Sequence, residues 1–178
     1  MRDIEELIRE AKRSVAIHEA GHLTVARAIG GNGQTNIYPV PTSDVMSQAT
    51  WVGQFIPASV ESRCPLVGVA GVVAECWVEA PDADAFWVAE SIDFGPYVPS
   101  NSDLKLIHGA VYEERWPETS QYLVSSALGL LREHKTFFDW AVAELVKKLS
   151  ISNRDARYHF EQLLVEKRKQ WEQSTTRL

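Results

Sequence analysis

Apolar residues recur at helical spacing through the first 29 residues, and this pattern constrains the fold more than any other feature of the chain. The apolar positions are Ile4, Leu7, Ile8, Ala11, Val15, Ala16, Leu23, Val25, Ala26 and Ile29. They end at Gly30-Gly31-Asn32-Gly33, a run that favours a turn. Asp3 and Glu6 have the spacing of a capping box at a helix N-terminus. We therefore predict a helix over residues 3–29, with a break near Arg13-Ser14.

The sequence changes character after the glycine run. Thr35–Val40 and Ala49–Ile56 are rich in β-branched and aromatic residues, which predicts two short strands. Pro65 opens a second predicted helix, Leu66–Val78, whose small residues permit close packing against another helix. The prolines and glycine between residues 80 and 100 indicate a long loop, with one short turn at Asp82–Val88.

Helical patterns dominate the rest of the chain. Ser100 or Asn101 can cap a helix from Ser102 to Trp116, where Pro117 interrupts it. Further helices are predicted at residues 118–133, 136–149 and 153–174. The expected fold class is α+β, mostly helical, with one small sheet inserted after the first helix. The length of 178 residues fits a single domain, with residues 1–116 as its core and 117–178 as a C-terminal helical part.

Composition excludes several classes of protein. The formal net charge of -6 argues against a nucleic-acid surface, which is normally basic. The two cysteines, Cys64 and Cys76, are too few for a disulfide framework. The acidic N-terminus has no apolar signal core, and the longest apolar stretch, Pro65–Val78, is too short to span a bilayer. We therefore expect a cytoplasmic protein without a membrane span.

The motif that carries chemistry is His18-Glu19-Ala20-Gly21-His22, which fits the H-E-x-x-H pattern. Four residues along an α-helix turn through about 400°, so both imidazoles point from one face and can reach one Zn²⁺. Glu19 lies beside that face, where it can accept a proton from a water on the metal. Apolar residues on both sides place the motif on a buried helix. The sequence therefore predicts a zinc site with Glu19 as general base.

Two histidines leave the site incomplete, because catalytic zinc normally has three protein ligands and an open position. Several residues qualify as the third ligand. His108, His134 and His159 are more typical of ordinary surface or core histidines. Glu75 lies on an apolar helix, where a carboxylate needs a partner. Asp103 lies in the first turn of a helix, where stabilisation of the helix dipole is the ordinary explanation. Spacing alone does not choose between Asp103 and Glu75.

The motif and its flanks resemble a known family. The run Val15–Ala26 is similar to the zinc motif of the FtsH-type AAA proteases, written HEAGHAxxA. Further similarities follow in the family's order: a first strand at Ile37-Tyr38-Pro39, an edge strand at Thr50-Trp51-Val52-Gly53, the GGRAAEE helix at Ala70–Glu75 and the A-S-N-D-[IL] segment at Ser100–Leu104. The Asp of that last segment is the family's third zinc ligand, so the resemblance implies this role for Asp103. It also implies a zincin-like metallopeptidase fold.

The chain also departs from the family. Val72 replaces the usual Arg of the GGRAAEE helix, Ala70 replaces its first Gly, and Tyr97-Val98-Pro99 replaces Thr-Gly-Ala. These changes bear on substrate preference and subunit contacts more than on metal binding. Only 17 residues precede His18, and no GxxxxGK[ST] phosphate loop occurs. We expect a peptidase domain without its own ATPase module, which leaves open a homo-oligomer or a partner ATPase.

The sequence thus predicts a zinc endopeptidase that hydrolyses unfolded or extended polypeptides without ATP. The predicted edge strand near Thr50–Phe55 would bind the peptide by strand addition. One alternative is a metal-binding regulatory module without proteolysis, although a purely structural site would not need Glu19. The other is a zinc hydrolase that acts on a non-peptide substrate.

Overall fold

The first helix is the element against which the rest of the fold packs. The computed structural model describes residues 3–40, 51–93, 97, 99–108 and 116–175. Helix α1, Ile4–Ala28, begins where the Asp3 carboxylate accepts a hydrogen bond of 3.2 Å from the Glu5 amide. The predicted break at Arg13-Ser14 was wrong, because the helix runs through both residues without interruption. Both side chains are exposed, so these polar residues mark the solvent-facing side of the helix and not its end. From Ala16 onward α1 is largely buried.

A three-stranded antiparallel sheet covers one side of α1. Strand β1, Gly33–Pro39, lies between β2, Trp51–Pro57, and β3, Ser150–Ile151. The pairing of β1 with β2 sets Thr35 opposite Phe55 and Ile37 opposite Gly53. Residues 49 and 50 of the second predicted strand lie outside the described residues. The predicted α+β class is confirmed, and β2 lies at an edge of the described sheet.

Strand β3 was not predicted, so the sheet is not wholly an early insertion. It has two residues and carries no periodicity of its own. Leu149 ends the preceding helix with a left-handed backbone, φ 67°, and its carbonyl accepts a hydrogen bond of 2.8 Å from the Ile37 amide. This turn directs Ser150–Ile151 alongside β1. Ile151 is buried, and its contribution to the core comes from this tertiary position.

Helix α2, Pro65–Glu79, packs closely against α1. Small residues of α2 lie at this contact. A Cβ atom added to Gly21 would lie 2.5 Å from the carbonyl oxygen of Ala70 and 2.8 Å from the Ala74 side chain. The two helices therefore approach more closely than any residue larger than glycine would permit at position 21, and this approach brings α2 within reach of the histidines.

The segment expected to be a loop after α2 contains helix α3, Ala85–Asp93, so that prediction was wrong. Asp84 Oδ1 accepts a hydrogen bond of 2.8 Å from the Trp87 amide and caps the helix. Val88, Ala89 and Ile92 are buried in the core. The signal was present as an N-cap followed by apolar residues at helical spacing, but the surrounding prolines and glycine obscured it.

Four more helices complete the described part of the fold. They are α4, Asn101–His108; α5, Trp116–Glu133; α6, Lys135–Lys148; and α7, Asn153–Thr175. Residues 109–115 of the helix predicted from Ser102 to Trp116 lie outside the described residues. Pro117 falls in the first turn of α5, where its missing N–H removes no helical hydrogen bond. In the part of the chain that is described, no helix combines the length and apolar character needed to cross a bilayer.

Candidate metal centre

His18 and His22 lie one turn apart on α1, as the H-E-x-x-H spacing predicts. Their ring centroids are 4.8 Å apart. His22 is 1% exposed, and the His18 side chain is 15% exposed. Gly71 of α2 faces the His18 ring, and Phe55 of β2 stacks on the His22 ring at 5.9 Å. The two rings are thus held between a helix and the sheet.

Asp103 reaches both histidines from the first turn of α4. Its Oδ2 lies 3.1 Å from His18 Nε2, and its Oδ1 lies 3.1 Å from His22 Nε2. Ser100 holds the carboxylate in place, because its amide donates to Asp103 Oδ2 at 3.0 Å and its Oγ accepts from the Asp103 amide at 3.2 Å. One ligand atom from each of the three side chains lies within 4.8 Å of the others.

The far sides of the two rings determine which nitrogens carry protons. His22 Nδ1 donates to the carbonyl oxygen of Val67 at 2.6 Å. Glu75 Oε1 lies 3.3 Å from His18 Nδ1 and favours a proton on that nitrogen. Such outer partners orient metal-binding histidines and fix their tautomer. When the two rings are neutral, both Nε2 atoms are then left with lone pairs directed toward Asp103.

This arrangement tests whether the residues fit a metal. A neutral His22 that donates from Nδ1 has no proton on Nε2, which is buried and makes no hydrogen bond within the described residues. A lone pair facing a carboxylate oxygen at 3.1 Å is unfavourable unless a cation lies between them. Two imidazole nitrogens and one carboxylate also match the ligands of catalytic zinc sites that keep a fourth position open. The three residues therefore fit a zinc ion.

The electrostatics of the cluster also favour a positive charge. Burial lowers the pKa of His18, but hydrogen bonds to Asp103 and Glu75, together with the charges of both carboxylates, outweigh it and raise the pKa to about 10. Burial opposes ionisation of Asp103, yet its hydrogen bond to His18 and the charges of both histidines hold its pKa well below the usual range. In the absence of a metal ion, a proton held between the histidines and Asp103 therefore supplies the positive charge that the carboxylate requires.

The Glu19 carboxylate lies against the sheet and close enough to both histidines to feel their charges. It is 4% exposed, and its Oε2 accepts a hydrogen bond of 3.1 Å from Thr35 Oγ1 on β1. On β2, a Cβ atom at Gly53 would overlap the Glu19 side chain. Burial raises the pKa of Glu19, opposed by the charges of His22 and His18 and by the Thr35 hydrogen bond. Sequence reasoning counted Thr35 only as a strand residue, since nothing local links it to Glu19.

The remaining third-ligand candidates lie elsewhere. His134 stands at the N-terminus of α6 beside Phe160, and His159 stacks on Trp140 at 4.1 Å. Partial burial lowers the pKa of both rings, as expected for histidines packed against aromatic side chains. The His108 side chain lies outside the described part of the structure. Glu75 approaches the site only at the outer nitrogen of His18.

Comparison of the chain with models of known protein families finds no match, and a search of curated proteins also finds none. The function must therefore be inferred from the chain's own residues and their geometry.

Proposed function

We propose that this protein is a zinc metallopeptidase that cleaves extended or unfolded polypeptides. One observation carries the proposal: His18, His22 and Asp103 bring three ligand atoms within 4.8 Å of one another, and the buried Nε2 of His22 makes no hydrogen bond within the described residues. Glu19, the residue that would act as base, immediately follows the first histidine. A structural metal site would not need this carboxylate.

Zinc at this position would supply a Lewis acid that activates water for hydrolysis at neutral pH. The side chains perform the other tasks. Val67 and Glu75 hold the two imidazoles in the tautomer that presents Nε2. Glu19 takes a proton from the attacking water and later delivers it to the leaving amine. Its burial helps the first of these steps, because a carboxylate with a raised pKa is a stronger base and takes a proton more readily.

Strand β2 supports a polypeptide as the substrate. It lies at an edge of the described sheet, and its Gly53 touches Glu19. An extended peptide that paired with this edge would gain main-chain hydrogen bonds, and its backbone would pass beside the proposed base. A small non-peptide substrate would not need such an edge.

The proposed class is that of the FtsH-type peptidases, with a zincin-like fold. The support is the order of the similar segments along the chain: the zinc motif on α1, the edge strand β2, the α2 helix and Asp103 on α4. We propose that the isolated chain works without ATP and that polypeptides are its substrates.

The metal is tested first. Elemental analysis of protein purified without chelators should find about one zinc ion per chain. His18→Ala should abolish zinc binding. His159→Ala is the control: it removes a histidine that stacks on Trp140 outside the cluster, and it should retain zinc. A zinc content near zero that added zinc does not restore would exclude the proposed site.

The reaction is tested with casein or a disordered fluorogenic peptide. The wild-type protein should cleave it, and Glu19→Gln should retain zinc but lose about 10²–10⁴-fold in rate, since Gln is nearly isosteric but cannot take the proton. A zinc-loaded wild type without cleavage would favour the binding-module alternative. Undiminished cleavage by Glu19→Gln would show that another group is the base or that a contaminating protease is present.

A further inference from the structure

The Glu19 carboxylate is held by the sheet, not by its own helix. Thr35 Oγ1 on β1 donates to Glu19 Oε2 at 3.1 Å, and Gly53 on β2 leaves the space that the same side chain occupies. Both positions belong to the face of the sheet that meets α1. The rotamer of Glu19 is therefore set by two residues that are 16 and 34 positions away in sequence.

The hydrogen bond to Glu19 is what accounts for a hydroxyl at position 35. Thr35 is fully buried, at 0% exposure, where valine would fill the same volume without bringing a polar group into the core. A buried hydroxyl is tolerated when it is hydrogen-bonded, and its described partner is Glu19 Oε2. The hydroxyl and the carboxylate thus satisfy each other.

We propose that Thr35 is a positioning residue for the general base. This inference rests on the proposed function, since it concerns how Glu19 performs its step. The hydroxyl donates to Oε2 and fixes the plane of the carboxylate, with Oε1 beside Gly53, so Oε1 is the oxygen left to take the proton from water. A carboxylate free to rotate about its last bond would present that oxygen only part of the time, and catalysis by a positioned group is sensitive to such misplacement.

The test compares Thr35→Val, which keeps the shape but removes the hydroxyl, with Thr35→Ser, which keeps the hydroxyl. Thr35→Val should lower kcat about 10- to 100-fold, as expected for one lost hydrogen bond to a charged group. KM and zinc content should stay near the wild-type values, because the hydroxyl is fully buried and its described partner is Glu19, not a proposed metal ligand. Thr35→Ser should restore most of kcat. Gln34→Val, on the exposed face of the same strand, is the matched control and should leave kcat unchanged.

A kcat of Thr35→Val equal to that of the wild type would overturn the inference and leave the proposed function standing. The same holds if Thr35→Val and Thr35→Ser are equally impaired, since the loss would then follow packing and not the hydroxyl.

A second measurement does not depend on activity. Unfolding by urea of Thr35→Val, Glu19→Ala and the double variant forms a mutant cycle that reports whether the two side chains interact. Thr35→Val should lower the midpoint clearly in the wild-type background and much less in Glu19→Ala. Equal shifts in both backgrounds would overturn the inference. If the wild type cleaves nothing, the proposed function fails, and the cycle alone shows whether Thr35 holds the Glu19 carboxylate.

Discussion

At the residue scale, the decisive feature is that the two ring nitrogens of each histidine have different partners. We call Nε2, which faces the cluster, the inner nitrogen, and Nδ1, which faces away from it, the outer nitrogen. The inner Nε2 atoms of His18 and His22 both face Asp103, and the outer Nδ1 atoms face Glu75 and the Val67 carbonyl. The sequence predicted the two histidines because their relation is local to one helix. It left Asp103 and Glu75 open as the third ligand, because that choice depends on how α2 and α4 dock on α1.

The different positions of the two carboxylates predict different effects on zinc affinity. Asp103→Ala removes a side chain that faces both inner nitrogens and should weaken zinc binding severely. Glu75→Ala removes only the outer partner of His18, and such changes typically cost about 10–100-fold in affinity. Competition with a chelator measures both, with the exposed Glu90→Ala of α3 as the control. If Glu75→Ala had the larger effect, Glu75 would be the third ligand.

At the element scale, the site exists because three elements approach α1 closely. Helix α2 brings Gly71 against His18, β2 brings Gly53 against Glu19, and α4 delivers Asp103. Periodicity predicted α1, α2 and the two longer strands, whose patterns are local. It missed α3, whose cap is surrounded by loop-forming residues, and β3, whose two residues form a strand only because Leu149 turns the chain toward β1.

Two glycine substitutions should separate metal binding from catalysis. A Cβ atom at Gly71 would lie 2.5 Å from His18 Nε2, so Gly71→Ala should displace the ring and weaken zinc binding. Gly53→Ala would press on Glu19 instead, so it should keep zinc but lower kcat. Both are measured by zinc titration and peptide cleavage of the same preparations.

Gly129→Ala serves as the control for these variants. It lies on exposed α5 surface, with no atom within 4 Å of an added Cβ, and should stabilise the helix by up to about 1 kcal/mol without affecting zinc or kcat. If Gly53→Ala lost zinc while Gly71→Ala kept it, the assignment of the two contacts would be reversed.

At the scale of the whole molecule, the proposed base, the proposed metal ligands and the edge strand β2 meet on one side of α1. Strand β2, which would bind a peptide, also packs Gly53 against the Glu19 side chain and stacks Phe55 on the His22 ring. The sequence could predict that these segments exist, since each has its own pattern. Their convergence could not be predicted from periodicity, because it depends on contacts between residues far apart in the chain, such as Glu19 with Thr35 and His22 with Asp103.

This geometry predicts which substrates the chain can cut. Pairing with the β2 edge needs an extended backbone, and a folded protein offers one only when it opens locally. The population of open states falls tenfold for every 1.4 kcal/mol or so of opening free energy. A substrate stable by about 7 kcal/mol should therefore be cut about 10⁵-fold more slowly than its unfolded form, provided that opening and closing are fast.

The comparison uses one small protein and its destabilised variant, each with and without ATP. Because the 178 residues contain no GxxxxGK[ST] loop, ATP should not alter either rate. Equal cleavage of both forms would mean that the site does not require an extended backbone, and acceleration by ATP would reveal a nucleotide site that the sequence does not predict.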